Sequence, residues 1–285
     1  MIVLPARRTE APRAASPSRL AALPMYDWPE LQAANDALWT EIADRLAARG
    51  LTQIPTRLTR TDDLDGLWTS PALLLAQTCG YPLATRLSGR VQLVATPCYR
   101  AAGCEGPFRR SAIVVRADAR TRRLAELRGA RCALNERSSD SGMNLLRASL
   151  APLAQGAPFF AEVALTGSHL ASAEAVAGGA ADVAALDAVS YAHLRRLRPR
   201  LARRLRVLEW SARTPGLPLI TAAGAEAATV GALREALAEV AAAPKLAEVR
   251  DALLLDRFAS LPPSDYQLTL QIEQYARQRG YPELR

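Results

Sequence analysis

Residues 131–142 read RCALNERSSDSG, a stretch that joins a predicted strand to a predicted helix through a loop of small hydroxylic residues. The apolar run at 131–135 indicates the strand, and the pattern of 142–153 indicates the helix. The loop allows a tight turn that aims the amides of the helix's first turn, together with serine hydroxyls, at one point. Such a point attracts an oxyanion. A plain helix N-cap made by Ser139 or Ser141 explains the same residues, so both interpretations stay open here.

Outward from this loop, short apolar runs alternate with helical patterns, which predicts an α/β fold. Strands are expected at 20–25, 72–76, 91–96, 111–116, 131–135, 161–165, 182–186, 205–210 and 217–222. Helices are expected at 28–49, 82–87, 124–128, 142–153 and 170–177, and three amphipathic helical segments fill 227–280.

Two further polar features follow predicted strands in the second half of the chain. His169 ends the motif Thr166-Gly167-Ser168-His169 after the strand at 161–165, and Asp187 follows the strand at 182–186. If these strands are parallel, both residues lie at the sheet edge that carries the serine loop, and ligands of open α/β sheets bind at that edge. Taken singly, His169 is explained as a helix-start residue and Asp187 as an N-cap.

The first half of the chain offers Tyr26 and Tyr99, each just after a predicted strand, with turn or cap chemistry as the alternative. No GxSxG, GxxxxGK[ST], HExxH or GxGxxG motif occurs, so no catalytic residue is assigned. Four cysteines without a CxxC pair and only two histidines predict neither a metal site nor a cofactor, and the cysteines are expected to be free thiols.

Composition narrows the classes of protein further. The chain has 285 residues, 49% of them apolar, and a formal charge of +8. No apolar run approaches the roughly 20 residues that span a bilayer, so no transmembrane segment is predicted. Seven arginines in residues 195–206 alternate with leucines and no aromatics, which favours a solvated helical surface over a nucleic-acid site.

The N-terminal stretch 1–18 is polar and rich in proline and arginine, and a flexible leader is expected there. It lacks the apolar core of a secretory signal, which predicts a cytoplasmic protein if Met1 is the true start.

Several separated motifs resemble the substrate-binding components of phosphate, phosphite and phosphonate ABC transporters, which have the type II periplasmic-binding-protein fold. The resemblance covers about residues 20–284 and rests on 23–27 (LPMYD), 74–82 (LLAQTCGYP), 96–107 (TPCYRAAGCEGP), 135–143 (NERSSDSGM), 166–169 (TGSH), Asp187, 265–266 (DY) and 280–282 (GYP).

The resemblance implies two α/β lobes, each a mixed sheet flanked by helices, that close on a ligand. Lobe 1 would be 19–107 plus 207–285, and lobe 2 would be 108–206. It also implies a periplasmic solute-binding protein, with an ABC permease and ATPase as partners. An enzyme or a cytoplasmic ligand sensor on the same fold is the alternative.

The family's ligand residues map onto positions of this sequence. Its phosphate-holding loop corresponds to Ser139, Asp140 and Ser141, and its cleft histidine and aspartate correspond to His169 and Asp187, while Tyr26 and Tyr99 would face them from lobe 1.

Asp140 stands where the family pattern has a hydroxyl. A carboxylate beside a phosphate dianion is repulsive unless the ligand keeps a proton or carries an amine. We therefore expect weaker binding of inorganic phosphate than of a singly charged or amine-bearing phosphonate.

Overall fold

Two separate five-stranded sheets organise the chain, and the computed structural model describes residues 19–285 of it. The predicted leader at 1–18 lies outside the described residues. The strands of the described part are β1 (Leu20–Ala22), β2 (Leu73–Gln77), β3 (Val91–Tyr99), β4 (Cys104–Glu105), β5 (Phe108–Arg109), β6 (Ser111–Arg116), β7 (Arg131–Leu134), β8 (Glu162–Leu165), β9 (Val183–Asp187), β10 (Leu205–Trp210), β11 (Thr214–Pro215), β12 (Leu219–Ala222) and β13 (Leu255–Ala259).

Helices cover both faces of these sheets. They are α1 (Gln32–Ala48), α2 (Leu64–Thr69), α3 (Gly80–Ala84), α4 (Leu145–Ala154), α5 (His169–Gly178), α6 (Ala188–Leu197), α7 (Pro199–Ala202), α8 (Ala227–Ala242), α9 (Ala247–Ala252) and α10 (Gln267–Gln278). None of the helices within 19–285 is long and apolar enough to cross a membrane.

The first sheet has the strand order β1-β2-β12-β3-β13, and the second has the order β10-β6-β9-β7-β8. The interior strands β2 and β9 are buried along their whole length, as near-continuous apolar runs predict. A third, small sheet of order β11-β5-β4 is formed by segments that lie between β3 and β6 and between β10 and β12 in the chain. The mixed two-lobed α/β architecture confirms the predicted fold class.

In the second sheet β7 pairs in parallel with both β8 and β9. The carboxyl ends of these three strands therefore meet at one edge, and the serine loop, residues 166–169 and Asp187 follow them there. This confirms the expected parallel arrangement, with β7 lying between the two strands.

The structure corrects the predicted helical tail at 227–280. Residues Leu255–Ala259 form β13, which pairs with β3 at the edge of the first sheet. An isolated five-residue strand carries little periodicity of its own, so its long-range partner decided its conformation.

Two observations concern the expected lobe boundaries. The boundary at 207 falls inside β10, which pairs with β6 of the second sheet on both sides of a register shift between Val207 and Glu209. Ala276, Tyr281 and Leu284, expected in lobe 1, pack in the core of the second sheet. The C-terminal residues of the chain therefore pack against the second sheet.

The arginine-rich segment 195–206 is not one helix. Pro199 separates α6 from α7, and β10 begins at Leu205. Most of its arginines are exposed while Leu194 and Leu205 are buried, which is the solvated surface that was predicted.

Candidate functional site

The serine loop is held in place by its own glycine and cap. Residues Asp140–Asn144 form one wide π-helical turn before α4. The Gly142 amide donates to Ser139 Oγ over 2.9 Å, so the N-cap is present. A Cβ at Gly142 would lie 1.7 Å from Asn135 Oδ1, so only glycine fits there. A serine hydroxyl both accepts and donates, and Ser139 Oγ also lies 3.5 Å from Ser141 Oγ, where either hydroxyl can donate.

Ser141 lies beside His169. Its Oγ and the imidazole Nε2 share a hydrogen bond of 2.9 Å. Burial lowers the pKa of His169 to about 4, although the charge of Asp187 opposes the shift. The ring is therefore neutral at pH 7, with one nitrogen able to donate and the other able to accept.

Asp187 ends β9 and caps α6. Its Oδ1 accepts hydrogen bonds from the amides of Val189 and Ser190, at 2.9 and 3.0 Å, and from the Tyr26 hydroxyl at 2.8 Å. Burial, and then the charge of Asp187, raise the pKa of Tyr26, so this hydroxyl stays protonated. Since Tyr26 follows β1 of the first sheet, this bond joins the two lobes across the cleft.

A cavity of about 590 Å³ lies between the lobes. Among the predicted ligand residues, those that line it are Tyr26, Ser139, Ser141, His169 and Asp187. Tyr99 and Asp140 are not among its lining residues. The Tyr99 ring packs edge-on behind Tyr26 at 5.4 Å between centroids, and its hydroxyl accepts from Gln77 Nε2 at 3.1 Å.

The carboxylate of Asp140 is fully buried and points away from the cavity. Asn144 Nδ2 donates to its Oδ1 over 3.1 Å, and Thr214 Oγ1 donates to its Oδ2 over 3.0 Å. Any repulsion between Asp140 and a ligand therefore acts from behind the loop, and not by direct contact as the sequence suggested.

Arg109 is the main feature of the site that sequence reasoning missed. It ends β5, is 2% exposed, and lies between Asp187 and Asp140. Its Nη1 is 2.8 Å from Asp187 Oδ2, and its Nη2 is 3.5 Å from Asp140 Oδ2. Burial lowers the pKa of Arg109, but the two carboxylates outweigh burial and raise it above its ordinary value. In a chain this rich in arginine, no local pattern marked this one.

The cavity wall is acidic although the chain is basic. Its carboxylates belong to Asp27, Asp62, Asp63, Asp65, Glu136 and Asp187. Arg86 is the single arginine or lysine of this lining within residues 19–285, and it pairs with Asp65 at 2.8 Å. The excess of positive charge in this chain therefore lies outside the cavity wall.

His193 on α6 is fully buried where the lobes meet. Its ring packs against Tyr26 and Trp28 of the first lobe, at 6.1 and 6.2 Å between centroids. Neither ring nitrogen has a hydrogen-bond partner among the described residues. Burial lowers the pKa of His193 to about 4; Asp187 opposes this shift and Arg196 adds to it.

Lowering the pH from about 7 to about 5 should cost about 2 kcal/mol of unfolding free energy through His193 alone. The folded pKa lies below the ordinary value of about 6.5, so this stability is present above pH 6.5 and is lost as the pH falls towards 4. Urea unfolding at both pH values measures the loss. In a His193→Phe variant, which keeps an aromatic ring in the contact, the loss should be smaller by that amount; an unchanged loss would contradict the assignment.

The four cysteines are free thiols, Cys98 and Cys132 buried and Cys79 and Cys104 partly so. Residues 19–285 contain no cluster of His, Cys, Asp and Glu side chains that could hold a metal ion.

Comparisons with known proteins identify a family with this architecture. A family model described as the periplasmic substrate-binding protein of phosphonate ABC transporters matches residues 20–266. No curated protein matches the chain.

Three solved structures illustrate the likeness in fold. A binding-protein component of an ABC phosphonate transporter from Pseudomonas aeruginosa has a TM-score of 0.73 at 17% identity, covering 91% of this chain and 87% of its own. PhnD1 from Prochlorococcus marinus, in complex with methylphosphonate, has a TM-score of 0.73 at 14% identity, covering 92% and 100%. A chloride-bound protein from Xanthomonas citri has a TM-score of 0.70 at 18% identity, covering 92% and 98%.

The structural likenesses alone establish the fold, while the family model spans most of the chain and covers the motifs from 23–27 to 265–266, but not the motif at 280–282. This chain therefore belongs to the family of periplasmic substrate-binding proteins of phosphonate ABC transporters.

Proposed function

We propose that the protein captures a phosphonate, or a similar small oxyanion, between its lobes in the periplasm and delivers it to an ABC permease and ATPase. The observation that carries this proposal is the serine loop at the start of a helix, whose two hydroxyls line the interlobe cavity. No covalent step is needed, because binding and release return the ligand unchanged.

The head group would be held by neutral donors. Its oxygens would accept hydrogen bonds from the hydroxyls of Ser139 and Ser141 and from amides at the helix start, where the helix dipole favours negative charge. Neutral His169 would add a further donor or acceptor, with Ser141 fixing its orientation through the 2.9 Å bond.

Asp187 would set the protonation state of the ligand. Its Oδ2 lies 2.8 Å from Arg109 Nη1, and Asp187 lines the cavity. A carboxylate facing the ligand is favourable only if the ligand presents a proton or an amine to it. This supports a singly protonated phosphonate head group over a dianion.

The rest of the ligand would lie against the acidic wall. A cavity of about 590 Å³ exceeds what a phosphonate head group alone occupies, and the wall carries carboxylates from both lobes. An amine-bearing organic substituent is the chemistry that this wall accommodates best.

Titration calorimetry tests the proposal with three probes: methylphosphonate, inorganic phosphate and an aminoalkyl phosphonate. We expect both phosphonates to bind, the aminoalkyl compound more tightly, and inorganic phosphate to bind more weakly than either. Phosphorus NMR of the ligand after release should show it unchanged. Absence of binding by all three, or tightest binding of inorganic phosphate, would refute the proposal, and a chemically altered ligand would favour an enzyme.

A further inference from the structure

Three buried charged groups lie together near the serine loop. Asp140 is 0% exposed, and Arg109 and Asp187 are each 2% exposed. Arg109 lies between the two carboxylates, with the shorter distance, 2.8 Å, to Asp187 and the longer one, 3.5 Å, to Asp140. One guanidinium thus serves two carboxylates.

We propose that this triad of Arg109, Asp140 and Asp187 is a charge selector that makes the site prefer a head group with one negative charge over a head group with two. The inference rests on the proposed function, since it assigns the ionisation state of the ligand that the same cavity takes.

The charge count carries the first step. Asp140 accepts hydrogen bonds from Thr214 and Asn144, and Asp187 accepts three others, so both carboxylates are solvated by donors in their ionised form. With Arg109 as the single cation, the triad carries a net charge of −1. If a hydroxyl stood at position 140, Arg109 and Asp187 would cancel and a dianion would meet a neutral site.

Proximity and burial carry the second step. Asp140 is flanked in sequence by Ser139 and Ser141, whose side chains line the cavity, so its Cα lies about 3.8 Å from the Cα atoms of both residues that would hold a head group. Each member of the triad is at most 2% exposed, so its field is screened far less than that of an exposed carboxylate. Asp140 therefore acts on the ligand through space, without touching it.

The titratable groups that face the triad keep their charge between roughly pH 7 and 8.5, the range in which the ligand would be tested. They are Tyr26, Tyr99, Tyr266, Cys79, Cys104, His169 and His193. Burial raises the pKa of the three tyrosines and of both thiols, and lowers the pKa of each histidine to about 4. Between roughly pH 7 and 8.5, the second ionisation of the ligand is therefore the change that matters.

The experiment is calorimetry with methylphosphonate across that range, on the wild type and on Asp140→Asn. In the wild type the affinity should fall as the ligand becomes a dianion, approaching about tenfold per pH unit if the monoanion alone binds. In Asp140→Asn, which keeps the shape and leaves the site one charge less negative, affinity for the dianion should rise about tenfold and the slope should flatten.

Asp44→Asn is the matched control. It removes one negative charge at an exposed position of α1, so its slope should equal that of the wild type. Asp140→Thr is the second variant, and thermal melting confirms that each variant folds. Equal slopes in the wild type and both Asp140 variants would overturn the charge selector, whereas a wild type that binds no methylphosphonate at any pH would overturn the proposed function instead.

Discussion

Replacing Ser139 and Ser141 together by alanine is expected to weaken methylphosphonate binding by at least about a hundredfold. Each hydroxyl would donate to a charged oxygen, and hydrogen bonds to charged groups contribute about 1.5–3 kcal/mol each. Titration calorimetry measures the loss directly. An affinity within a few-fold of the wild type would remove the serine loop from the binding site.

The two positions should differ in their single variants. Ser139→Ala also removes the cap that accepts from the Gly142 amide, at a cost of about 1 kcal/mol in stability. Ser141→Ala leaves the cap intact but takes away the partner of His169 Nε2. Ser149→Ala is a matched control, because this serine lies on α4 and donates to the Leu145 carbonyl away from the cavity. Its affinity and melting temperature should stay close to the wild-type values.

Arg109→Met is expected to reduce the free energy of unfolding by about 3–5 kcal/mol. The change leaves two buried carboxylates facing each other without the cation between them. Removing one partner of a buried ion pair costs this much because the remaining charge is neither solvated nor neutralised. Urea unfolding at pH 7 measures the difference.

A second substitution separates this electrostatic cause from lost packing. Adding Asp140→Asn to Arg109→Met removes one of the two facing charges, so part of the lost stability should return. If the double variant is no more stable than Arg109→Met alone, the loss comes from packing, and the charge count given for the triad is wrong.

Most strands and helices could be predicted because the spacing of their apolar residues along the chain indicates which residues are buried. The runs at 111–116 and 205–210 were predicted with the bounds that the structure has, and the first is apolar enough to indicate burial by itself. The strand Leu255–Ala259 could not be predicted, because five residues after a short helix carry no decisive period. Pairing with β3, more than 150 residues earlier, determined its conformation.

The residues around the serine loop were predictable because helix starts and strand ends carry recognisable chemistry. Ser139, His169 and Asp187 each lie at such a junction, and one sheet edge brings them together. Tyr99 shared the same local signal as Tyr26, yet the structure places it behind Tyr26 and outside the cavity lining. The position of a residue just after a strand does not determine whether its side chain lines the cavity or packs behind another side chain.

The sequence alone determined the α/β class, the family and the position of the serine loop at a helix start, since these depend on local periodicity and on motifs that are contiguous in the chain. The tertiary structure alone decided the charge of the site. Arg109 comes from a strand between the lobes, Asp140 from the loop and Asp187 from the end of β9, and they meet only when two sheets and their connections are in place. Coulombic interactions depend on distance and burial in space, which separation along the chain does not reveal.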